Sequence, residues 1–470
     1  MNSSSPAYTT VSGLLKTSAQ KLLTASTRAG WLRVCSLGIG LLLTATVAAQ
    51  QPGSGTPNIV FIMTDDVGYG DIGSYGAPDI RTPNIDQLAR DGVRFTDFYS
   101  NGPTCTPTRA GFVTGRYQQR YGLEIPLPSP PAEGRGLPAN GNSLPQLLKN
   151  TGYSTGLIGK WHLGYADNQS PAAHGFDYFF GFKSGYIDYY QHTNGLGEED
   201  LWENDSVITQ EGYMTDLITQ RSLAFIKDNS TRPFFLSVQY NASHWPYQPP
   251  DMPSTSPNHA AHVQPHMENT GTREDYKAML ERADEGIGMI LQALDEAGLS
   301  NNTLVIFTND NGGEWLSRTA PLFNRKGTVW EGGIRVPAIF RWPSVIPASQ
   351  VTSQVGITMD ISATLLAVSK AVVPASLQLE GINLMPILTG SSPTVSRTLF
   401  WRTQTEKAVR SGDMKLVMQS GRAYIYNMKD DVGERNDLTS RQQAEARRLR
   451  GLLDAWETDV DAEGKIALGL

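Results

Sequence analysis

Two pairs of acidic or amide side chains each follow a continuous apolar run of strand length. Asp65 and Asp66 come after the first run, and Asp310 and Asn311 come after the second. Such runs predict strands that are buried on both faces. Because ligands of parallel α/β sheets bind beyond the carboxyl ends of strands, we expect these four side chains to lie together. Carboxylates confined in one place need a cation to offset their charge.

A divalent metal ion supplies that positive charge. Four oxygen-bearing side chains, without His or Cys among them, select a hard ion rather than Zn²⁺. The pattern therefore predicts a hard ion such as Ca²⁺ or Mg²⁺, and we expect one ion per chain, Ca²⁺ with Mg²⁺ possible. The simpler interpretation is that Asp65 and Asp66 only cap the turn that follows a strand.

Cys105 is the second feature that could take part in chemistry. The other cysteine, Cys35, lies in a segment that we expect to be removed, so the mature chain would form no intramolecular disulfide. The surrounding sequence places Cys105 at or near a helix N-terminus, where backbone N–H groups favour an anion. Arg109, one turn on, carries a guanidinium suited to a tetrahedral oxyanion. A thiolate nucleophile is the first interpretation, but a soft thiolate fits poorly beside hard-metal ligands.

Short motifs spaced along the chain carry a family resemblance. They are Cys-Thr-Pro-Thr-Arg at 105–109 with Thr-Gly-Arg at 114–116, and residues 65–71, 82–86, 92–95, 159–164, 243–246, 309–312, 326–327, 330–337 and 424–427. In this order they resemble the type I, formylglycine-dependent sulfatases of the alkaline phosphatase superfamily, among them the arylsulfatases. Residues 185–190 and 212–216 resemble the N-acetylgalactosamine sulfatases in particular. In that family a maturase reads Cys-x-Pro-x-Arg and oxidises the cysteine to formylglycine (3-oxoalanine). Thr108 stands where the family most often has serine.

The resemblance implies covalent catalysis at Cys105. One hydroxyl of the hydrated formylglycine would attack sulfur while Asp310 takes its proton, and the other would later expel sulfate. A hydroxyl is a hard ligand, so the modified Cys105 would join Asp65, Asp66, Asp310 and Asn311 in binding the metal.

The resemblance also implies roles for five cationic or imidazole side chains. Arg109 would steady the formylglycine oxygens, and Lys160 and Lys326 would neutralise the charge of the sulfate. His162 would be the base that releases sulfate, and His244, with Lys326, would protonate or hydrogen-bond the leaving alcohol oxygen. Each could instead be structural, but two of only seven histidines fall inside these motifs. That concentration favours function.

Alternating strand and helix patterns predict the architecture. They indicate an α/β protein with a large, mainly parallel sheet sandwiched by helices. Short strands and a polar helix over 440–458 predict a small C-terminal antiparallel sheet with one helix. Gly, Ser and Pro cluster at 390–396, so we expect a catalytic domain over 50–390 and a C-terminal subdomain over 391–470.

The first 49 residues read as a signal peptide. An apolar run over 34–49 follows Arg28 and Arg33, ends in Val-Ala-Ala, and is short for a membrane span. We therefore expect cleavage, a periplasmic or secreted protein, and no stable membrane association afterwards. An uncleaved anchor is the alternative.

Charge narrows the choice of partners. The formal net charge is -7 and no long run of Lys or Arg occurs, which argues against a nucleic-acid partner but not against a small anionic substrate. The expected function is hydrolysis of sulfate monoesters on a sulfated polysaccharide or oligosaccharide, after action of the maturase. Two alternatives remain open: a phosphodiester or phosphonate hydrolase of the same superfamily, and a non-catalytic binder of sulfated glycans with Cys105 unconverted.

Overall fold

The computed structural model describes residues 55–129, 134–252 and 270–467, so the predicted signal peptide lies outside the described residues. The strands are β1 (Asn58–Thr64), β2 (Val93–Phe95), β3 (Phe98–Tyr99), β4 (Ser154–Lys160), β5 (Tyr178–Phe182), β6 (Trp202–Glu203), β7 (Ser206–Val207), β8 (Phe234–Gln239), β9 (Thr303–Asn309), β10 (Ala338–Arg341), β11 (Gln350–Thr352), β12 (Gly356–Ile357), β13 (Thr398–Arg402), β14 (Glu406–Ser411), β15 (Met414–Gln419) and β16 (Arg422–Asn427). The helices are α1 (Pro83–Arg90), α2 (Cys105–Thr114), α3 (Leu144–Lys149), α4 (Met214–Asp228), α5 (Arg273–Glu296), α6 (Glu331–Ile334), α7 (Thr358–Val368), α8 (Met385–Leu388) and α9 (Gln443–Ala467).

A ten-stranded sheet forms the centre of the fold, in the order β11-β2-β10-β9-β1-β8-β4-β5-β6-β7. Its five central strands, from β9 to β5, run parallel. The flanking pairs β9–β10, β10–β2, β5–β6 and β6–β7 are antiparallel. The mainly parallel sheet expected from the sequence is therefore confirmed.

Strand β1 shows why its sequence is a continuous apolar run. Val60 and Ile62 pack into one core with α1, α4 and α5, whereas Phe61 and Met63 pack into a second core with α2, α3 and α7. Successive side chains of a strand point to opposite faces, so a strand covered on both sides needs apolar residues throughout. Full burial of each such side chain stabilises the fold by about 1.5–3 kcal/mol.

The long helix α5 begins directly after a capping residue, Thr272. The hydroxyl of Thr272 accepts a hydrogen bond from the backbone N–H of Asp275, whose carboxylate in turn accepts from the N–H of Thr272. This reciprocal capping satisfies two backbone donors that the first helical turn leaves free. The buried residues of α5 then face the first core.

The C-terminal sheet is a four-stranded antiparallel meander, β13-β14-β15-β16, and α9 packs against it. Helix α9 extends to Ala467, beyond the expected end at Thr458. Val460 and Gly464 continue the row of buried residues that begins at Leu449. The residues around them are mostly polar, so the local sequence does not indicate that the helix continues. The division of the chain at residue 390 stays a prediction. In the described part of the chain, no helix is long and apolar enough to cross a membrane.

A buried ion-pair network joins the small sheet to the short helix α6. Lys415 is fully buried and lies 2.8 Å from carboxylate oxygens of both Glu331 and Glu434. Burial by itself would raise the pKa of Glu331, but attraction to Lys415 and Arg335 outweighs it and lowers the pKa to about 2. Burial dominates at Glu434 and raises its pKa to about 7. Lys415 therefore bridges the two carboxylates, and Arg335 also pairs with Glu331, at 2.9 Å.

Replacing that lysine tests the network. Lys415→Met would leave two buried carboxylates without their shared cation, and we expect it to lower the free energy of unfolding by about 3–5 kcal/mol. Urea denaturation at neutral pH measures the loss. The matched control is Lys407→Met on the neighbouring strand, whose partly exposed pair with Glu457 should contribute no more than about 1 kcal/mol. Equal losses in the two variants would contradict the assignment.

Candidate active site

The site lies at the carboxyl ends of β1 and β9. Thr64 and Asn309 are paired across these strands, so the residues that follow each strand leave the sheet side by side. The backbone N–H of Asp66 lies 3.4 Å from Oδ1 of Asp310, and the amide of Asn311 donates to Oδ1 of Asp66 at 2.8 Å. The structure therefore brings the two predicted pairs together, and all of their side chains are buried.

Helix α2 begins at Cys105. Thr104 before it is extended, and Pro107 occupies the first turn, where its missing N–H removes no helical hydrogen bond. This places Cys105 Sγ 3.7 Å from Oδ1 of Asp65. The side chain is buried, and burial raises the pKa of its thiol to about 12. An unmodified Cys105 is thus a neutral thiol and a poor nucleophile.

The hydroxyl of Thr108 holds the loop that precedes Cys105. It donates to the carbonyl oxygen of Gly102 at 3.0 Å and accepts from the N–H of Gly102 at 3.1 Å. A serine hydroxyl can make the same two bonds, so the threonine at this motif position preserves them.

Three cations lie against the three carboxylates of the site. Arg109 reaches it from α2, Lys160 from the end of β4, and Lys326 from the segment after β9. The pairs are Lys160 Nζ with Asp65 Oδ2 at 2.5 Å, Lys326 Nζ with Asp66 Oδ2 at 2.6 Å, and Arg109 Nη2 with Asp310 Oδ2 at 3.0 Å and Asp65 Oδ2 at 3.5 Å. The formal charges of these six side chains cancel.

The pairing divides the carboxylates electrostatically. Burial and repulsion from Asp65 raise the pKa of Asp310 to about 6. Burial also acts to raise the pKa of Asp66, but attraction to Lys326, His244 and Lys160 outweighs it and holds that pKa well below its usual range. Asp310 is therefore the more basic of the two and the better proton acceptor.

His244 and His162 are both held as neutral rings. Burial lowers the pKa of His244 to about 3 and takes that of His162 well below its usual value. His244 Nδ1 donates to the carbonyl oxygen of Trp245 at 2.5 Å, and its Nε2 lies 3.5 Å from Asp66 Oδ2. His162 Nε2 donates to the carbonyl oxygen of Leu127 at 2.9 Å, which leaves Nδ1 as the proton acceptor of the ring. Within the described residues His162 Nδ1 is buried and has no hydrogen-bond partner.

Two site residues adopt left-handed backbone conformations that L-residues seldom take. Asp66 has φ 61° and His162 has φ 54°. Each such conformation costs about 1–3 kcal/mol and persists where the surroundings over-determine it. Strained backbone conformations are often found at active sites, and the presence of two of them in this cluster agrees with that tendency.

Several neighbours of the site escaped the sequence analysis. Gln239, the last residue of β8, accepts from Arg109 Nη1 at 3.0 Å, and Thr106 donates to the carbonyl oxygen of His162 at 3.1 Å. Tyr189 lies in the segment 185–190 that the resemblance includes, but its contact was not expected: its hydroxyl donates to the carbonyl oxygen of His244 at 2.9 Å. The strand-end position of Gln239 was the one available signal, since the same rule identified the aspartates.

The cluster suits a hard divalent cation. Ligand atoms of Asp65, Asp66, Cys105 and His244 all lie within 4.8 Å of one another. Oδ1 of Asn311 is buried and, among the described residues, makes no hydrogen bond. A buried carbonyl oxygen left without a donor is costly unless a cation or water meets it. The oxygen atoms of Asp65, Asp66 and Asn311 are therefore consistent with a hard ion, whereas the same group also contains the sulfur of Cys105 and a nitrogen of His244 and does not include Asp310.

Three buried carboxylates and three cations thus surround Cys105, the first residue of α2. The family model for Sulfatase matches residues 57–371, and the chain belongs to the sulfatase family, which makes it a sulfuric ester hydrolase. It is 33% identical over 414 residues to N-acetylgalactosamine-6-sulfatase of Canis lupus familiaris, covering 82% of this chain and 75% of the relative. It is 36% identical over 413 residues to arylsulfatase A of Bos taurus, covering 79% and 77%.

Solved structures agree with the fold. The crystal structure of Ps i-CgsB in complex with k-i-k-neocarrahexaose has a TM-score of 0.78 at 29% identity, covering 86% of this chain and 93% of that one. PsFucS1 sulfatase from Pseudoalteromonas sp. has a TM-score of 0.70 at 26% identity, covering 87% and 91%. The architecture is thus that of sulfatases.

Burial of Cys105 has a measurable consequence. In unconverted mature protein the thiol should react with 5,5′-dithiobis(2-nitrobenzoate) at least about 100-fold more slowly than after unfolding in urea, because it is neutral and shielded. The rate of absorbance change at neutral pH measures this, with the unfolded chain as control. Similar rates in both states would show that the thiol is accessible.

Proposed function

We propose that the protein hydrolyses sulfate monoesters on a sulfated polysaccharide or oligosaccharide, with a nucleophile made from Cys105. The position of Cys105 carries the proposal: it is the first residue of α2 and lies 3.7 Å from Asp65, among three carboxylates and three cations. The names of the relatives support the substrate class. One is an N-acetylgalactosamine-6-sulfatase, and a similar structure holds a carrageenan hexasaccharide.

Conversion of Cys105 to formylglycine by a maturase is part of the proposal. The hydrated form supplies a hydroxyl nucleophile, which suits an oxygen-ligated metal better than a thiolate does. Asp310 accepts the proton of that hydroxyl, because its pKa is raised to about 6 by burial and by Asp65. Arg109 lies on the same helix as residue 105 and holds Asp310 near that helix through an ion pair at 3.0 Å.

The remaining side chains bind the sulfate group and move protons. Lys160 and Lys326 neutralise sulfate oxygens, since both stay protonated against Asp65 and Asp66. The neutral ring of His162 accepts a proton at Nδ1 during release of sulfate. Lys326, which stays protonated, donates to the leaving alcohol oxygen. Nε2 of His244 lies 3.5 Å from Asp66 Oδ2 and is the proton acceptor of its neutral ring, so His244 can donate to that oxygen only after it has taken up a proton.

The same proposal includes one Ca²⁺ per chain, with Mg²⁺ as the alternative, held by Asp65, Asp66, Asp310 and Asn311 and by the modified residue 105. When bound, the ion polarises sulfate oxygens and lowers the pKa of the nucleophile. Oδ1 of Asn311, which is buried and makes no hydrogen bond to any described residue, supports the inclusion of Asn311 among the ligands.

Export completes the proposal. The apolar run and small residues before position 50 support a signal peptide. A periplasmic or secreted location suits an enzyme that acts on polysaccharides too large to enter a cell.

Comparing two substrates tests the reaction class. Protein made together with a formylglycine-generating maturase should hydrolyse 4-nitrophenyl sulfate with a higher kcat/KM than bis(4-nitrophenyl) phosphate. Cys105→Ala should lower the sulfatase rate by at least about 10⁴-fold, because the nucleophile is absent. Peptide mass spectrometry of the segment that contains position 105 reports conversion. Faster diester cleavage would favour the phosphodiesterase alternative, and a thiol throughout in the native host would favour the glycan binder.

Metal binding has a readout apart from activity. Excess Ca²⁺ added to chelator-treated protein should raise the Tm, since a ligand at 100 times its Kd stabilises the fold by about 2.7 kcal/mol. Asn311→Ala should abolish most of that shift, whereas Asp413→Asn on the surface of the small sheet should leave it unchanged. An identical shift in both variants would place the ion elsewhere.

A further inference from the structure

A loop over 313–326, called the rim loop below, starts and ends at the site. The N–H of Glu314 bonds to the carbonyl oxygen of Asp66 at 3.4 Å, and the N–H of Lys326 bonds to that of Gly313 at 3.1 Å. Lys326 Nζ lies 2.6 Å from Asp66 Oδ2. Trp315, which follows Glu314, and Arg325, which precedes Lys326, are therefore the residues adjacent in sequence to these contacts.

The backbone of the rim loop is anchored along its length. The N–H of Arg318 donates to Oδ2 of Asp71 at 2.9 Å, and its carbonyl oxygen accepts from Gly70 at 2.9 Å. Arg273 Nη1 donates to the carbonyl oxygen of Leu316 at 2.8 Å. A surface held in this way costs little ordering when a ligand binds.

Trp315 and Arg325 are both exposed at the surface. Trp315 is 56% exposed, the one tryptophan so placed among the described residues. The guanidinium carbon of Arg325 lies 5.0 Å from the ring centre, and its side chain is 46% exposed. Single exposed apolar residues are common and need no function. Trp315 differs from them because it adjoins Glu314, which is bonded to Asp66.

The rim loop also carries the charge that an anionic chain would need. Lys326 is paired with Asp66, and Arg318 and Arg325 outnumber Glu314, which leaves the loop a formal charge of about +1 in a chain whose net charge is -7. Glu314 and Arg325 form an ion pair at 3.9 Å, and the side chain of Arg325 stays 46% exposed.

We propose that Trp315 and Arg325 form a second carbohydrate subsite, which binds the sugar ring next to the one that carries the scissile sulfate. The exposed indole face packs on the C–H face of that ring, and the guanidinium of Arg325 contacts its sulfate or carboxylate group. The identity of the ligand rests on the proposed function. The subsite makes the protein prefer an internal, charged stretch of glycan to an isolated sulfated unit.

Binding measurements on Cys105→Ala protein, which cannot turn over substrate, test the subsite. Isothermal titration would use a sulfated carrageenan hexasaccharide and a chondroitin 6-sulfate hexasaccharide. We expect at least one to bind, and Trp315→Ala and Arg325→Ala each to weaken its Kd by about 5- to 30-fold. Arg325→Ala should also flatten the salt dependence of the Kd, which Trp315→Ala should not.

Matched controls come from exposed residues far along the chain from the rim loop. Met289→Ala on α5 is 48% exposed in the native protein, and Arg448→Ala on α9 removes a side chain that is 48% exposed and paired with Glu445. Both should leave the Kd unchanged. Failure of both hexasaccharides to bind, or equal Kd values in the rim-loop variants and the controls, would overturn the subsite.

Turnover of 4-nitrophenyl sulfate by wild-type protein separates the two proposals. If wild-type protein is active but Trp315→Ala leaves the Kd for the hexasaccharide unchanged, the proposed function stands and the subsite is wrong. If fully converted wild-type protein is inactive but Trp315→Ala weakens the Kd, the subsite stands and the proposed function is wrong. In active protein, the ratio of kcat/KM for hexasaccharide to that for 4-nitrophenyl sulfate should fall with Trp315→Ala, chiefly through KM.

Discussion

The balance between three buried carboxylates and three cations is the constraint on which the structure depends. Asp65, Asp66 and Asp310 are removed from water, where an unpaired charge costs several kcal/mol. Each therefore needs a cation within contact distance. The cations come from α2, from the end of β4 and from the rim loop, so three separate parts of the chain must converge on one strand edge. The parallel register of β1 and β9 fixes where that edge lies.

The small C-terminal sheet helps to hold one of those parts in place. Lys326 is followed within a few residues by α6, and Glu331 at the start of α6 is tied to Lys415 of the sheet. Trp330, just before it, packs against Tyr424 and Tyr426 of β16. The segment that carries Lys326 is thus fixed at one end by the small sheet and at the other by Asp66. This gives the C-terminal strands a positional role in the site although none of the predicted catalytic residues lies on them.

Rules of short range recovered much of this arrangement from sequence. Apolar runs located β1 and β9, and the strand-end rule then joined Asp65 with Asp310, because parallel strands place their carboxyl ends at one edge. Gln239 and the contact of Tyr189 with His244 were missed because partners of this kind are set by packing between distant segments. The end of α9 was missed for the same reason: Val460 and Gly464 are buried by contacts that a polar local sequence does not reveal.

Charge arithmetic at the site bears on which ester it suits. The six charged side chains sum to zero, so a divalent cation held there would leave a charge of about +2 for the substrate. A sulfate monoester carries one negative charge, further negative charge develops on the alcohol oxygen as its bond to sulfur breaks, and the sulfate that is later expelled from residue 105 carries two. The surplus then matches the charge that develops during reaction more closely than that of the starting ester. Under the proposed function, Lys160 and Lys326 bind the sulfate group more tightly once bond cleavage has begun than in the starting ester. Tighter binding of the transition state than of the substrate is the condition for catalysis, and a non-catalytic glycan binder would not need it.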